Sequence, residues 1–322
     1  MVLAGGTGGA KLARGMLDVI GSERLTVVAN TGDDIEIYGA HVSPDPDLVT
    51  FWLADQIDER GWGLDGDTFN VMSALRELGE DVWFNLGDRD LAIGIQRAQA
   101  LSAGGRLTDA QRALCAQLGV SATVLPMSDR PVRTRVLSGG VWWTLQEFLI
   151  RADERGEIDD VRFRGAREAG TTREVLDAIA QASTIVIGPS NPVISIGPML
   201  AIDQLRVALT SSPAPIVAVS PLVGGKVLKG PTAAFMRASG VTVSAAGLVE
   251  LYAGVIDGVV ADEPVAGLPN LETDLLMNGA AGRQRLATET LGFSNGLIKA
   301  GSKGLGRAGS PTTRPASSVP AT

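Results

Sequence analysis

Two stretches place carboxylates where a cation or a reacting hydroxyl could meet them. "LTVVANTGDD" carries Asp33 and Asp34 just past an apolar run, and "HVSPDPD" follows with Asp45 and Asp47 in a Pro-punctuated loop. Converging carboxylates hold magnesium between phosphate oxygens, or take the proton of an attacking hydroxyl. Aspartates also favour turns and helix caps for local reasons, so spacing alone leaves both readings open. The chain's start offers the complementary chemistry. In "MVLAGGTGGAKLARG" a glycine turn, Gly5, Gly6, Thr7, Gly8 and Gly9, lies between an apolar start and a helical pattern, with Lys11 just inside it. Such a turn aims backbone amides and the helix dipole at one point, which suits a phosphate. Its spacing matches neither the dinucleotide fingerprint nor the Walker loop. Close helix–sheet packing is the competing explanation.

Further turns follow apolar strands. "GPSNPVISIGP" supplies Ser190, Asn191 and Ser195, and "SPLVGGKVLKGP" supplies Lys226 and Lys229, two of the chain's five lysines. Lysine is a compact charge suited to phosphate, and three such turns on one edge point to a nucleotide diphosphate. "WFNLGDRD" sets Trp83 and Phe84 beside Asp88, Arg89 and Asp90, either a wall for a planar ring or a capped helix start. "PMSDRPVRT" adds Ser128, Arg130 and Arg133, able to pair with anions or simply solvated.

These turns need a scaffold. Short apolar runs alternating with helical patterns predict an α/β fold: a Rossmann-like, doubly wound, mostly parallel sheet. Residues 1–42 and 166–300 read as the nucleotide-binding core. Residues 43–165, which hold all five tryptophans, read as an inserted, mainly helical cap on the acceptor side. The Gly/Ser/Pro/Thr-rich tail, 301–322, reads as disordered. The opening strand is short enough that a few residues are expected ahead of Met1.

Composition removes several classes. A net charge of −8 argues against a general nucleic-acid surface. One histidine, His41, excludes a zinc site built on histidines, so metal chemistry would rest on carboxylates and favour Mg2+. The single cysteine, Cys115, excludes an internal disulfide framework. No apolar run is long enough for a membrane span, and no leader pattern is visible. The expectation is a cytoplasmic protein without a membrane partner, with a homodimer as the default assembly.

Taken in order, "AGGTGGAKL", "NTGDDIEIYGAHVSPDPDLVTF", "WFNLGDRDLA", "LPMSD", "LQEFLIR", "IGPSNPVISIGPML" and "SPLVGGKVLKGP" resemble the 2-phospho-L-lactate transferase family of coenzyme F420 biosynthesis, over about Val2 to Asp257. Departures are the abbreviated first strand, "LQEF" where an aromatic commonly precedes the QE pair, and Pro46. The resemblance implies a guanosine diphosphate ester of lactate or enolpyruvate as donor, and 7,8-didemethyl-8-hydroxy-5-deazariboflavin as acceptor. Attack by the ribityl hydroxyl would release GMP and give F420-0 or its dehydro form. It further implies that Asp34 and Asp45 are catalytic and hold Mg2+. The turn Gly5–Gly9 with Lys11, and Ser190, Asn191, Ser195, Lys226 and Lys229, would bind the nucleotide. His41, Asp47, Trp83, Asp88 and Arg89 would shape the acceptor side. The rival is a non-catalytic, nucleotide-sugar-binding regulator with similar glycine turns. A dinucleotide oxidoreductase is disfavoured by the glycine spacing.

Overall fold

The computed structural model describes residues 1–152 and 157–301. Seven strands form the central sheet: β1 (Val2–Ala4), β2 (Thr26–Ala29), β3 (Thr123–Pro126), β4 (Ile185–Ile187), β5 (Ile216–Val219), β6 (Gly258–Ala261) and β7 (Asn270–Glu272). Their order is β7-β6-β5-β4-β1-β2-β3, and every pairing is parallel. A parallel sheet is covered on both faces, which is why its inner strands read as unbroken apolar runs. Alternation along β1 then splits the core. Leu3 joins Val28, Ile185, Ile187 and Ile216 on one face. Val2 and Ala4 join Val27, Val186 and Val217 on the other. No single helix among the described residues is long and apolar enough to cross a membrane.

Helix α1 (Gly6–Ile20) follows β1 directly, and its buried stripe of Ala10, Leu12, Ala13 and Met16 lies on the sheet. The strand order reverses between β1 and β4. In doubly wound sheets that switch point, at the carboxyl ends of the strands, is where ligands sit. The β1 and β4 turns, with the glycine run and Ser190–Asn191, both emerge there.

The stretch 43–165, expected as a mainly helical insertion, mixes helices with strands. It does contain α2 (Pro44–Leu53), α3 (Asp88–Ser102) and α4 (Leu107–Gln117). It also donates β3 to the central sheet and forms the whole of a three-stranded antiparallel sheet, Arg133–Ser138, Val141–Thr144 and Asp160–Arg164. A four-residue apolar run such as β3 carries no period that separates strand from helix. Asp45 and Asp47, expected in a loop, sit in the first turn of α2, because Pro44 at the first helical position is already set for helix. The run "VTVSAAG" leads into helix Ala245–Leu251, whose N-cap Ser244 accepts from the Gly247 amide. Gly301 closes α5 (Gly279–Gly301), and the rest of the expected tail, 302–322, lies outside the described residues.

Candidate active site

At the switch point the glycine turn is pressed against its own protein. The Gly5 amide donates to Ser190 Oγ at 3.1 Å, and the Gly6 amide to Asp45 Oδ1 at 2.6 Å. A β-carbon on Gly5 would stand 2.6 Å from both Asp45 Oδ2 and Ser195 Cβ, and one on Gly8 would stand 2.0 Å from the Pro189 carbonyl oxygen. Close packing, the competing explanation, is therefore correct for these glycines. It also spends two of the four free amides at the helix start, leaving Thr7 and Gly8 as first-turn amides that no described side chain caps. Asn191 Oδ1 caps the next turn through the Val193 and Ile194 amides, while its Nδ2 is buried without a partner.

Beside the turn lies an acid corner. Asn30, at the carboxyl end of β2, donates from Nδ2 to Asp45 Oδ2 at 2.9 Å and to Asp33 Oδ1 at 3.2 Å. Asp34 accepts from Ser43 Oγ at 2.8 Å and from His41 Nε2 at 3.1 Å. His41 Nδ1 meets Glu36 at 3.2 Å, and Glu36 in turn accepts from Arg133 at 2.5 Å. With a carboxylate on each ring nitrogen, His41 is held as the imidazolium. Burial alone would lower its pKa, but the hydrogen bonds to Asp34 and Glu36 raise it to about 9. The His41 hydrogen bond, with Arg133 beside it, brings Glu36 down to about 2 against the opposing effect of burial. Asp45 is pushed up to about 6, first by burial and then by Asp34, against the pull of the Asn30 and Gly6 donors. Asp33 is held well above the usual carboxylate range by burial and by the charges of Asp45 and Asp34.

Mutual repulsion of this kind is what a cation relieves. The donor set is all oxygen, which fits a hard ion. Among the described residues no cluster of three or more ligating side chains converges, so protein carboxylates would share the ion with ligand oxygens. Asp34 has both oxygens committed, whereas half-buried Asp33 has only Asn30 and a long contact to Gln146 Nε2 at 3.4 Å. Asp33 therefore keeps more free acceptor capacity than Asp34. Its place at the end of β2 was the signal in the sequence.

Three cavities flank the corner, one of about 200 Å³ being lined by Asp33, Asp34, Glu36, Arg133 and Gln146. A space of about 660 Å³ lies between the hairpin strands Ile35–Ile37 and Ala40–Val42, α3 and the Asp129–Arg133 loop, with Asp34 and His41 in its wall. Another, of about 240 Å³, has Asp45 and Asp47 at one end and Phe51, Trp62, Phe69 and Phe84 around it. Asp90 also lines it, pushed up to about 7 by burial and by Asp47 and Asp67, with Oδ1 buried and unpartnered. Phe51, Trp62 and Phe69 escaped the functional reading because their roles depend on helix packing that no local spacing encodes.

The other expected acceptor residues are placed differently. Trp83 stacks on Phe84 at 5.6 Å and lies under Arg151, so Phe84 and not Trp83 faces the cavity. Asp88 caps helix Asn70–Glu77, accepting from Thr68 Oγ1 and from the Asn70 and Val71 amides. Arg89 ties that region to the Asp65 carbonyl and to Gln56. Asp47 is clamped by Arg97, which also donates to the His41 carbonyl at 2.9 Å. Of the two lysines, Lys229 reaches the Trp62 ring at 5.9 Å and acts on Lys11, whereas Lys226 stands exposed on the hairpin Leu222–Val223/Lys226–Val227.

Comparison with known proteins identifies the family. A family model described as 2-phospho-L-lactate transferase CofD matches residues 1–274. A 2-phospho-L-lactate transferase from Methanosarcina mazei is 38% identical over 264 residues, 82% of this chain and 86% of its own length. A phosphoenolpyruvate transferase from Kitasatospora aureofaciens is 38% identical over 270 residues, covering 81% and 84%. A crystal structure of a UPF0052 family protein from Bacillus halodurans shares the fold, with a TM-score of 0.61 at 18% identity, covering 90% of this chain and 97% of that one. A match across most of the chain, to a family model and to relatives of this likeness, leaves one assignment: this protein is a transferase belonging to the 2-phospho-L-lactate transferase CofD family.

Proposed function

We propose that the protein moves a phospholactyl or phosphoenolpyruvyl group from its guanosine diphosphate donor to the terminal ribityl hydroxyl of 7,8-didemethyl-8-hydroxy-5-deazariboflavin. GMP leaves, and the phosphodiester formed is F420-0 or its dehydro form. The observation that carries this reading is the position of Asp45. One of its oxygens accepts from the amide that opens α1, and its side chain forms the end of an aromatic cavity. A phosphate seated at the helix start and a hydroxyl entering from a ring-filled cavity would meet at this carboxylate.

The roles follow from the surroundings. Thr7, Gly8 and Lys11 receive donor phosphate, and the orphaned Nδ2 of Asn191 offers a further donor. Phe51, Trp62, Phe69 and Phe84 hold the planar acceptor by stacking. Asp45, with a pKa near neutrality, orients the hydroxyl and takes its proton as the new P–O bond forms. Asp34 is fixed beside it by His41 and Ser43. Asp33, together with donor phosphate oxygens, would hold Mg2+, which would supply charge neutralisation on the transferring phosphate. Positioning and charge neutralisation carry the rate, so no covalent protein intermediate is required.

The test is mass spectrometry of the products after the deazaflavin and magnesium are incubated with the lactyl donor and, separately, the enolpyruvyl donor. F420-0 or dehydro-F420-0 with stoichiometric GMP is expected from at least one. Absence of both, with tight binding of a UDP-sugar and none of GDP, would establish the regulator instead.

A further inference from the structure

Helix α5 begins past the matched family span, 1–274, yet it reaches the phosphate corner. It crosses α1 so closely at Gly15 that a β-carbon there would stand 2.4 Å from the Arg283 carbonyl oxygen. That crossing sets the Arg283 guanidinium 5.3 Å from the centre of the Trp52 ring, which Lys11 Nζ approaches at 5.6 Å. Lys229 completes the group from the Trp62 side. Burial, and then the charges of Arg283 and Lys229, depress the Lys11 ammonium.

Neighbouring arginines in these two helices are paired: Arg14 with Asp18, and Arg285 with Asp274 and Glu289. Among the described residues Arg283 has no such carboxylate, and its Nε is buried without an acceptor. Lys11, Lys229 and Arg283, none of them paired with a carboxylate among the described residues, repel one another around these two indoles, whereas Arg60, also over Trp62, is paired with Asp58. A multiply charged anion removes that repulsion, and the planar guanidinium fork suits phosphate oxygens. Resting on the donor reading above, the geometry points to Arg283 as a binding residue for the nucleotide's diphosphate, contributed by the C-terminal helix.

Calorimetric titration of the full chain with GDP and, separately, inorganic pyrophosphate tests this. Arg283→Gln keeps a side chain over Trp52 but loses the charge, and is expected to weaken both ligands by about 10- to 100-fold. Arg283→Lys should fall between wild type and Arg283→Gln, because it keeps charge and loses the fork. Thermal melts confirm that each variant folds, and the lysine variant carries the test alone if the glutamine one does not. Wild-type GDP binding with unchanged affinity in the variants overturns the role of Arg283 and leaves the donor reading standing. Wild-type binding of pyrophosphate but not GDP overturns the donor reading, and loss of pyrophosphate affinity in the variants then still places Arg283 in an anion site. Binding of neither ligand overturns both.

Discussion

The acid corner and the basic corner flank the same helix start, and they are built in opposite ways. Around Asp33, Asp34 and Asp45 the carboxylates have donors from the protein, and Asp45 and Asp34 use both oxygens. Around Lys11, Lys229 and Arg283 the charges rest on indole faces and have no carboxylate among the described residues. The first corner is preorganised, so its hydrogen bonds fix where a reacting group must stand. The second gathers like charges that a bound anion would relieve. Rate should therefore be most sensitive to one corner and affinity to the other.

Asp45→Asn gives the sharpest test of that division. It keeps the acceptor for the Gly6 amide and removes charge and basicity, so turnover should drop about 10²- to 10³-fold with a native melting curve. A loss confined to KM would erase the contrast between the corners. On the basic side, Lys229→Ala should weaken GDP by about 3- to 10-fold and leave saturated turnover near wild type, while Lys226→Ala changes affinity by less than about twofold. Equal effects of the two lysines would mean that proximity to Lys11 does not matter.

The smallest effect belongs to His41. Its folded pKa of about 9 lies above the ordinary 6.5, so its stabilisation is complete below pH 6.5 and fades as pH rises through 9. Wild-type melting temperature should fall by about 1–3 °C more than that of His41→Gln between pH 6.5 and 9. Parallel curves would show that the Asp34–His41–Glu36 chain contributes nothing as an ion network.

The sheet was readable because its strands are buried on both faces, which leaves runs such as "APIVAVS" with no polar interruption. The β2 acids were readable for a related reason, since a polar cluster at the end of such a run must lie on the ligand edge. Legibility failed where local signals conflict. Prolines flanking Asp45 read as loop punctuation, yet one of them starts α2. "GDRD" fits both a ring wall and a capped start of its own helix, yet α3 follows Gly87 with no side-chain cap, and Asp88 instead caps the separate helix Asn70–Glu77 through the Asn70 and Val71 amides. Arg283 gave no sign at all, because its role arises from a helix crossing between residues far apart in sequence.

One consequence concerns how the chain acquires this shape. β1 pairs with β2 on one side and with β4 on the other, and the Met1 amino group donates to the Thr184 carbonyl. During synthesis its first neighbour emerges early, but the second arrives only after more than half of the chain has been made. Until then Val2–Ala4 presents an open, apolar sheet edge, the kind of surface to which chaperones bind and along which nascent chains aggregate. Closure of that gap over a long sequence separation should be the slow step of folding, and it assembles the glycine turn and the Ser190–Asn191 turn in a single event.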